Sequence, residues 1–464
     1  MFILHLVTEL EISQGSKAYD FLRKKPQYQH VNNNKGGSTM KGKKGALVAL
    51  ASIPLIMTLG NSMLLPILPQ ISGELRISAF QVSMIITVYG LIAILMIPIA
   101  GYLSDRFGRK KVILPSLIIA ALGGAVCVAA AWFLEGSTAY WVILGGRFVQ
   151  GIGAAGAFPI VIPFVGDLFK DEKEVSRGLG VVETSNTFGK VLSPILGAYL
   201  GTVLWYAPFI AIPILCLVSF VLMIFLVKEP KSEGQAEKKA LGQFLKGIKE
   251  ILHEKGRWLY SIFAVGGICM FVTFGVLFYL SETLEAKYNL HGSAKGFVLA
   301  IPLALLCLAS YGSGKIIGQN KLLMKWLGFG GMVLLTAAMV ITGFNSNIYF
   351  MVGFLSLSGI GIGVALPCMD ALITESIEKE NRGTITSLYS SMRFIGVALG
   401  PPVVSLLMTR GHWVLFGTMA AVGTLGGLLT LFAVKPSEGG NPKDNNPFKS
   451  GRSMKNPWQR QRAR

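Results

Sequence analysis

From Ala46 almost to the C-terminus, apolar runs of about 20 residues follow one another with short polar breaks. A helix of that length spans about 30 Å, the thickness of a bilayer's hydrocarbon core. Twelve such runs can be marked, at 46–69, 80–103, 112–133, 140–164, 178–201, 204–227, 259–282, 294–314, 325–343, 348–372, 384–409 and 412–434. No single globular core could absorb so many. With 52% hydrophobic and 14% charged residues, the chain reads as an all-α membrane protein of twelve transmembrane helices.

Loop charges set the orientation. With the N-terminus inside, the inner segments from Met40 onward hold 31 Lys and Arg, against four outside: Arg76, Lys287, Lys295 and Arg410. Both termini are therefore expected in the cytoplasm of a multi-pass cell-membrane protein. The net charge of +19 follows the alternate loops instead of forming one basic patch, so it points to membrane lipids as partners and not to nucleic acid. All five cysteines fall inside apolar runs without metal-ligand spacing, and no metal site is expected.

Residues 1–39 form a polar extension expected to be disordered; Lys35-Gly36-Gly37 is compatible with a ribosome-binding sequence, so Met40 is the expected natural start. The expected domains are a six-helix bundle at 40–227, a cytoplasmic linker at 228–258, a second six-helix bundle at 259–434, and a disordered basic cytoplasmic tail at 435–464. In the linker, Leu241, Phe244, Leu245, Ile248, Ile251 and Leu252 share one helical face, as in a helix lying on a membrane surface.

The bundles repeat. GIGAAGAFP at 151–159 and GIGIGVALP at 359–367 occupy the fourth run of each half, and Ser193-Pro194 and Gly400-Pro401 the fifth. An internal repeat of six helices suggests a transporter whose small-molecule substrate binds between pseudo-symmetric halves near the midplane.

GYLSDRFGRKKVI, from Gly101 to Ile113, links the second and third runs. Gly101 and Gly108 permit close approach, Asp105 suits the positive N-terminus of a neighbouring helix, and Arg106 and Arg109 hold the loop inside. This stretch resembles motif A of the major facilitator superfamily. LGNSMLLPILP (59–69) resembles the first-helix motif of that superfamily's twelve-helix drug:proton antiporters, and RFVQGIGAA (147–155) resembles their motif B. GKVLSPILGA resembles their motif C through Gly189, Pro194 and Gly197, with Ser193 and Ala198 replacing the usual glycines. Within that branch, TLGNSMLLPILP, QVSMIITVYG, ETSNTFGKVLSPILG and SSMRFIGVALGPP resemble the exporters of catecholate siderophores. The resemblance implies a monomeric secondary active efflux transporter, antiporting its substrate against protons by alternating access, with a proton-coupling role for Arg147.

Charges inside the runs are costly and mark candidate sites. Glu183 and Lys190 lie seven residues apart, on one face with Pro194, Gly197 and Gly201. They either neutralise each other or other charges, directly or through Asn186, or they line the pathway, with Lys190 holding an anion and Glu183 cycling a proton. Arg393, midway along the equivalent run of the other half, would supply a second cation, and Asn61, Asn186 and Tyr389 complete the candidate substrate set. Asp370 and Glu282 lie close enough to helix ends to reach water. A basic centre favours an anionic, aromatic substrate such as a catecholate siderophore; the alternative is a multidrug efflux pump for lipophilic or cationic drugs. GSGKI at 312–316 lacks the first Gly and the Ser/Thr of a nucleotide-binding loop, so no cofactor is expected and the proton gradient is the energy source. The five histidines are scattered, four outside the runs and His412 at the very start of the last, which disfavours a membrane enzyme; a non-transporting sensor is a further, lesser alternative.

Overall fold

The computed structural model describes residues 40–169, 172–228, 241–318, 320–377 and 379–434. The expectations for 1–39, for 229–240 of the linker and for the tail lie outside them. The described residues are helical throughout, with no strand. The first half holds α1 (Met40–Ser62), a 3-10 turn (Leu65–Ile67), α2 (Leu68–Leu75), α3 (Ala79–Phe107), α4 (Arg109–Phe133), α5 (Gly136–Ala157), α6 (Val161–Leu168), α7 (Glu172–Val203) and α8 (Ala207–Leu226). The second holds α9 (Leu241–Ala286), α10 (Gly292–Ile317), α11 (Lys321–Phe344), α12 (Ile348–Ser376), α13 (Lys379–Met408) and α14 (His412–Phe432).

Among the described residues, eleven helical spans are long and apolar enough to cross a membrane. The fifth expected run, inside α7, is long enough but too polar to be counted with them. That polarity is the first structural sign that α7 faces something other than lipid. By contrast, Leu91, Leu95 and Ile99 of α3 and Ile214, Leu217, Val221 and Phe225 of α8 leave apolar side chains on the outer surface, as a bilayer solvent permits and water does not. The linker helix and the seventh run form one helix, α9, broken at Gly256 (φ 10°, ψ −102°).

The sequence repeat is a packing repeat. In the first half, Gly153 of α5 leaves no room for a Cβ against the Ala120 backbone of α4; at the matching place in the second half, Gly361 of α12 sits against Gly331 of α11. At positions that are not equivalent in the repeat, Gly197 lets α7 lie against the Met63 carbonyl beyond α1, and Gly400 lets α13 lie against the Phe271 carbonyl of α9. Without these glycines the paired backbones would be held apart by side chains, so the repeated motifs act by setting interhelical distance.

The halves meet along two seams, α3 on α13 and α7 on α10. Thr87 Oγ1 donates to the Ala398 carbonyl across the first at 2.7 Å, and Gly296 of α10 admits the Pro194 carbonyl and Ala198 at the second. At the end remote from motif A, Ser281 Oγ of α9 donates to the Leu65 carbonyl at 2.9 Å, closing the halves together there.

Candidate substrate and proton pathway

Motif A forms a one-residue hinge between α3 and α4. Gly108 ends α3 with φ 106° and ψ 146°, a backbone conformation open essentially to glycine alone. The turn folds Arg109 back on its own helix end, where Nη1 pairs with Asp105 at 2.5 Å and bonds Ser104 Oγ at 2.7 Å, while Nε pairs with Asp167 of α6 at 3.1 Å. Asp105, expected to face a neighbouring helix's N-terminus, is thus engaged by Arg109, because the i,i+4 spacing across the hinge brings them together. Arg106 bonds Tyr102 and lies over the Phe107 ring. Gly101 runs close to Ser387 of α13. Asp167 has no counterpart among the sequence expectations; an acid just beyond the fourth run, beside a basic loop, was its only signal.

Arg147 is buried, 1% exposed, at the centre of the first half. Its Nε donates to the Ile85 carbonyl at 2.9 Å, Nη1 to Gln150 Oε1 at 2.6 Å and Nη2 to Asn61 Oδ1 at 2.5 Å, and its guanidinium lies 4.3 Å from the centroid of Tyr89. Asn61, expected among the substrate residues, is therefore occupied by Arg147 and itself buried; a guanidinium with five donors recruits the nearest amide oxygens.

A second cluster forms between the halves. Along one face of α7, burial deepens away from the motif-A end: Glu183 is exposed, Lys190 half-buried, and Pro194 and Gly197 buried. Glu183 Oε1 accepts from Asn186 Nδ2 at 3.2 Å, and Asn186 Oδ1 accepts from Thr58 Oγ1 of α1 at 2.6 Å. Arg393 of α13 lies 3.6 Å from Asp370 Oδ1 of α12 and 5.7 Å from the Tyr389 ring centroid. Tyr389 is buried against Phe263 of α9 and closes over Gly266. Lys190 is within electrostatic reach of Arg393, Glu183 and Asp370, yet among the described residues its Nζ has neither an ion-pair nor a hydrogen-bond partner. Glu183 and Lys190 do not pair with each other.

Lys190 also lines a narrow cleft that continues toward the closed end, bordered by Ser62, Ser193, Pro194, Thr273, Phe274 and Leu303 among others. Its free volume of about 10 Å³ holds roughly one water-sized sphere. Ser193 Oγ donates to the Lys190 carbonyl at 3.0 Å, so the serine that replaces the usual motif C glycine is satisfied within α7. Gly189 packs on Leu55 of α1. Asp370 joins the central cluster through Arg393 while its side chain stays 37% exposed, and Glu282 is half-buried at the closed end, with its Oε1 buried and without a hydrogen-bond partner among the described residues. Lys295, counted with the outer loop residues, is 1% exposed and paired with Glu285 at 2.6 Å.

Two pseudo-symmetric helical halves closed at one end over a charged central cavity define a membrane transporter, not an enzyme. Residues 50–347 and 324–463 match the family model described as the Major Facilitator Superfamily, and the chain belongs to that superfamily. It is 53% identical over 389 residues to the bacillibactin exporter of Bacillus subtilis (strain 168), covering 84% of this chain and 96% of that protein. It is 24% identical to the class C tetracycline resistance protein of Escherichia coli, over 79% of this chain and 90% of that one. The fold is also that of the human organic anion transporter MFSD10 (TETRAN), with a TM-score of 0.65 at 18% identity, covering 84% of this chain and 99% of that chain.

Proposed function

We propose that this protein is a monomeric, proton-coupled efflux transporter that works by alternating access and exports an anionic, aromatic small molecule of the catecholate siderophore class. The observation that carries the reading is the unpaired ammonium of Lys190 in the central cavity, facing the Arg393–Asp370 pair of the other half. An ammonium without a counter-ion in a low-dielectric site is costly on its own, and an anionic substrate relieves that cost. The 53% identity to a bacillibactin exporter supports the same substrate class. In this reading the basic loops and both termini are cytoplasmic, so the cavity faces inward and the Ser281–Leu65 contact closes the outer end.

Glu183, exposed at the mouth and bonded to Asn186, is the acid assigned to proton exchange there. That exposed carboxylate also favours the second reading, a pump for lipophilic cations. Comparing export of a catecholate siderophore and of a cationic dye, in cells with and without the protein, separates the two. Siderophore retention in the deficient cells supports the first reading, and dye retention alone supports the second. In vesicles, export should collapse when the proton gradient is dissipated; export that continued would remove the coupling.

A further inference from the structure

α9 and α14 run side by side in the second half. They touch where Gly426 of α14 faces Ile268 of α9, a Cβ on the glycine standing 3.3 Å from Ile268 Cδ1. Nearer the motif-A end they border a groove of about 530 Å³. Arg257, Tyr260 and Ala264 lie along the α9 wall on one helical face, and Leu428, Phe432 and Ala433 along the α14 wall. The groove opens to the outside of the bundle, where Tyr260, Leu428 and Phe432 are exposed. Arg257 follows the break at Gly256 directly, so it marks the end of the membrane-crossing part of α9. From there to Ala264 is about 10 Å along the helix, most of the roughly 15 Å of hydrocarbon in one leaflet.

The walls are apolar, and the polar groups sit at the rim. Ser261 Oγ is already used, donating to the Arg257 carbonyl at 2.7 Å. The exposed Arg257 guanidinium makes no ion pair or hydrogen bond with any described residue, and neither does the Tyr260 hydroxyl. The chain beyond the described residues begins at Lys435, two residues after Ala433, and carries eight Lys and Arg against two acids. It has the sign of Arg257 and supplies no counter-charge.

We propose that this groove binds one anionic phospholipid from the leaflet on the motif-A side, with its phosphate on Arg257 and Tyr260 and an acyl chain between α9 and α14. A cation and a phenol above an apolar trough match an amphiphile with a negative head. A neutral lipid would leave the guanidinium unmatched, and a soluble anion would leave the trough empty. The site depends on neither the substrate nor the proton coupling proposed above.

Native mass spectrometry of the full-length protein in detergent, titrated with phosphatidylglycerol and with phosphatidylcholine of the same chains, tests this. One phosphatidylglycerol should be retained in preference to phosphatidylcholine, and equal retention overturns the proposal. Arg257→Gln should lower the preference about fivefold, the ratio that corresponds to one basic residue at an anionic surface, whereas Arg257→Lys should keep most of it. Ala264→Phe, which fills the trough, should weaken retention of both lipids. Lys315→Gln removes another exposed cation at the motif-A end and should change nothing. An undiminished preference in Arg257→Gln, or an equal loss in Lys315→Gln, would show charge acting without a site and overturn the proposal. Full retention of both lipids in Ala264→Phe, or displacement of the lipid by soluble glycerol phosphate, would remove the acyl chain from the groove and overturn it as well. Because Arg257 has no side-chain partner to lose, its variants should melt with the lipid-free wild type, which separates lost binding from lost folding.

Discussion

The guanidinium of Arg393 lies 3.6 Å from the carboxylate of Asp370, joining the eleventh and tenth membrane runs at the cavity wall. Removing one partner takes the ion-pair contact from the other. Breaking a fully buried pair costs about 3–5 kcal/mol, and because Asp370 is 37% exposed at its side chain, the loss for Arg393→Gln should fall below that range. The double change Arg393→Gln with Asp370→Asn should regain much of the stability without regaining export. Thermal unfolding in detergent beside vesicle export would show it; full recovery of export would mean the pair serves structure alone.

Lys190→Gln should behave differently, because no carboxylate is paired with it. Removing an uncompensated charge strands no partner, so the melting temperature should hold or rise while export of the anionic substrate falls. A drop in stability comparable to that of a broken buried pair would show that Glu183 depends on Lys190 after all.

Arg147 joins three helices through Ile85, Gln150 and Asn61. Arg147→Leu would leave those acceptors without their donor in a dry interior, at roughly 1–3 kcal/mol for each group left unsatisfied. The expected outcome is poor folding. Arg147→Lys should recover only part of the stability, since one ammonium cannot reproduce the planar fork. Denaturation midpoints of the two variants would rank them, and equal values would contradict the geometry.

The hinge between α3 and α4 gives a fourth expectation. Gly108→Ala forces a Cβ into the backbone conformation at φ 106°, with strain of about 1–3 kcal/mol, and should lower stability. Asp105→Asn removes one of the two carboxylates on Arg109 while Asp167 keeps the other, so the protein should insert normally yet cycle slowly. Asp105→Asn with Asp167→Asn should impair export more than either alone; export matching the wild type in the double variant would exclude a role for this cluster.

Much of the architecture was legible because bilayer thickness acts on every helix alike. Run length, loop charge and the spacing of glycine and proline are local quantities, and they led to the all-helical class, the two halves and the short link between the second and third runs. The glycine repeat could be found by eye, since Gly153 and Gly361 answer the same demand for backbone contact at equivalent places. The charges were another matter. Sequence depth alone put Glu183, Lys190 and Arg393 near one another, but which of them pair depends on how α7, α12 and α13 are rotated about their axes. Only packing sets that rotation. Tertiary structure drew Asn61 to Arg147, brought Asp370 from a helix end into the cavity, and buried Lys295 against Glu285. A charged side chain on a helix reaches several ångströms in any direction, so its partner is chosen by whichever helix face lies opposite, and that is a property of the assembled bundle.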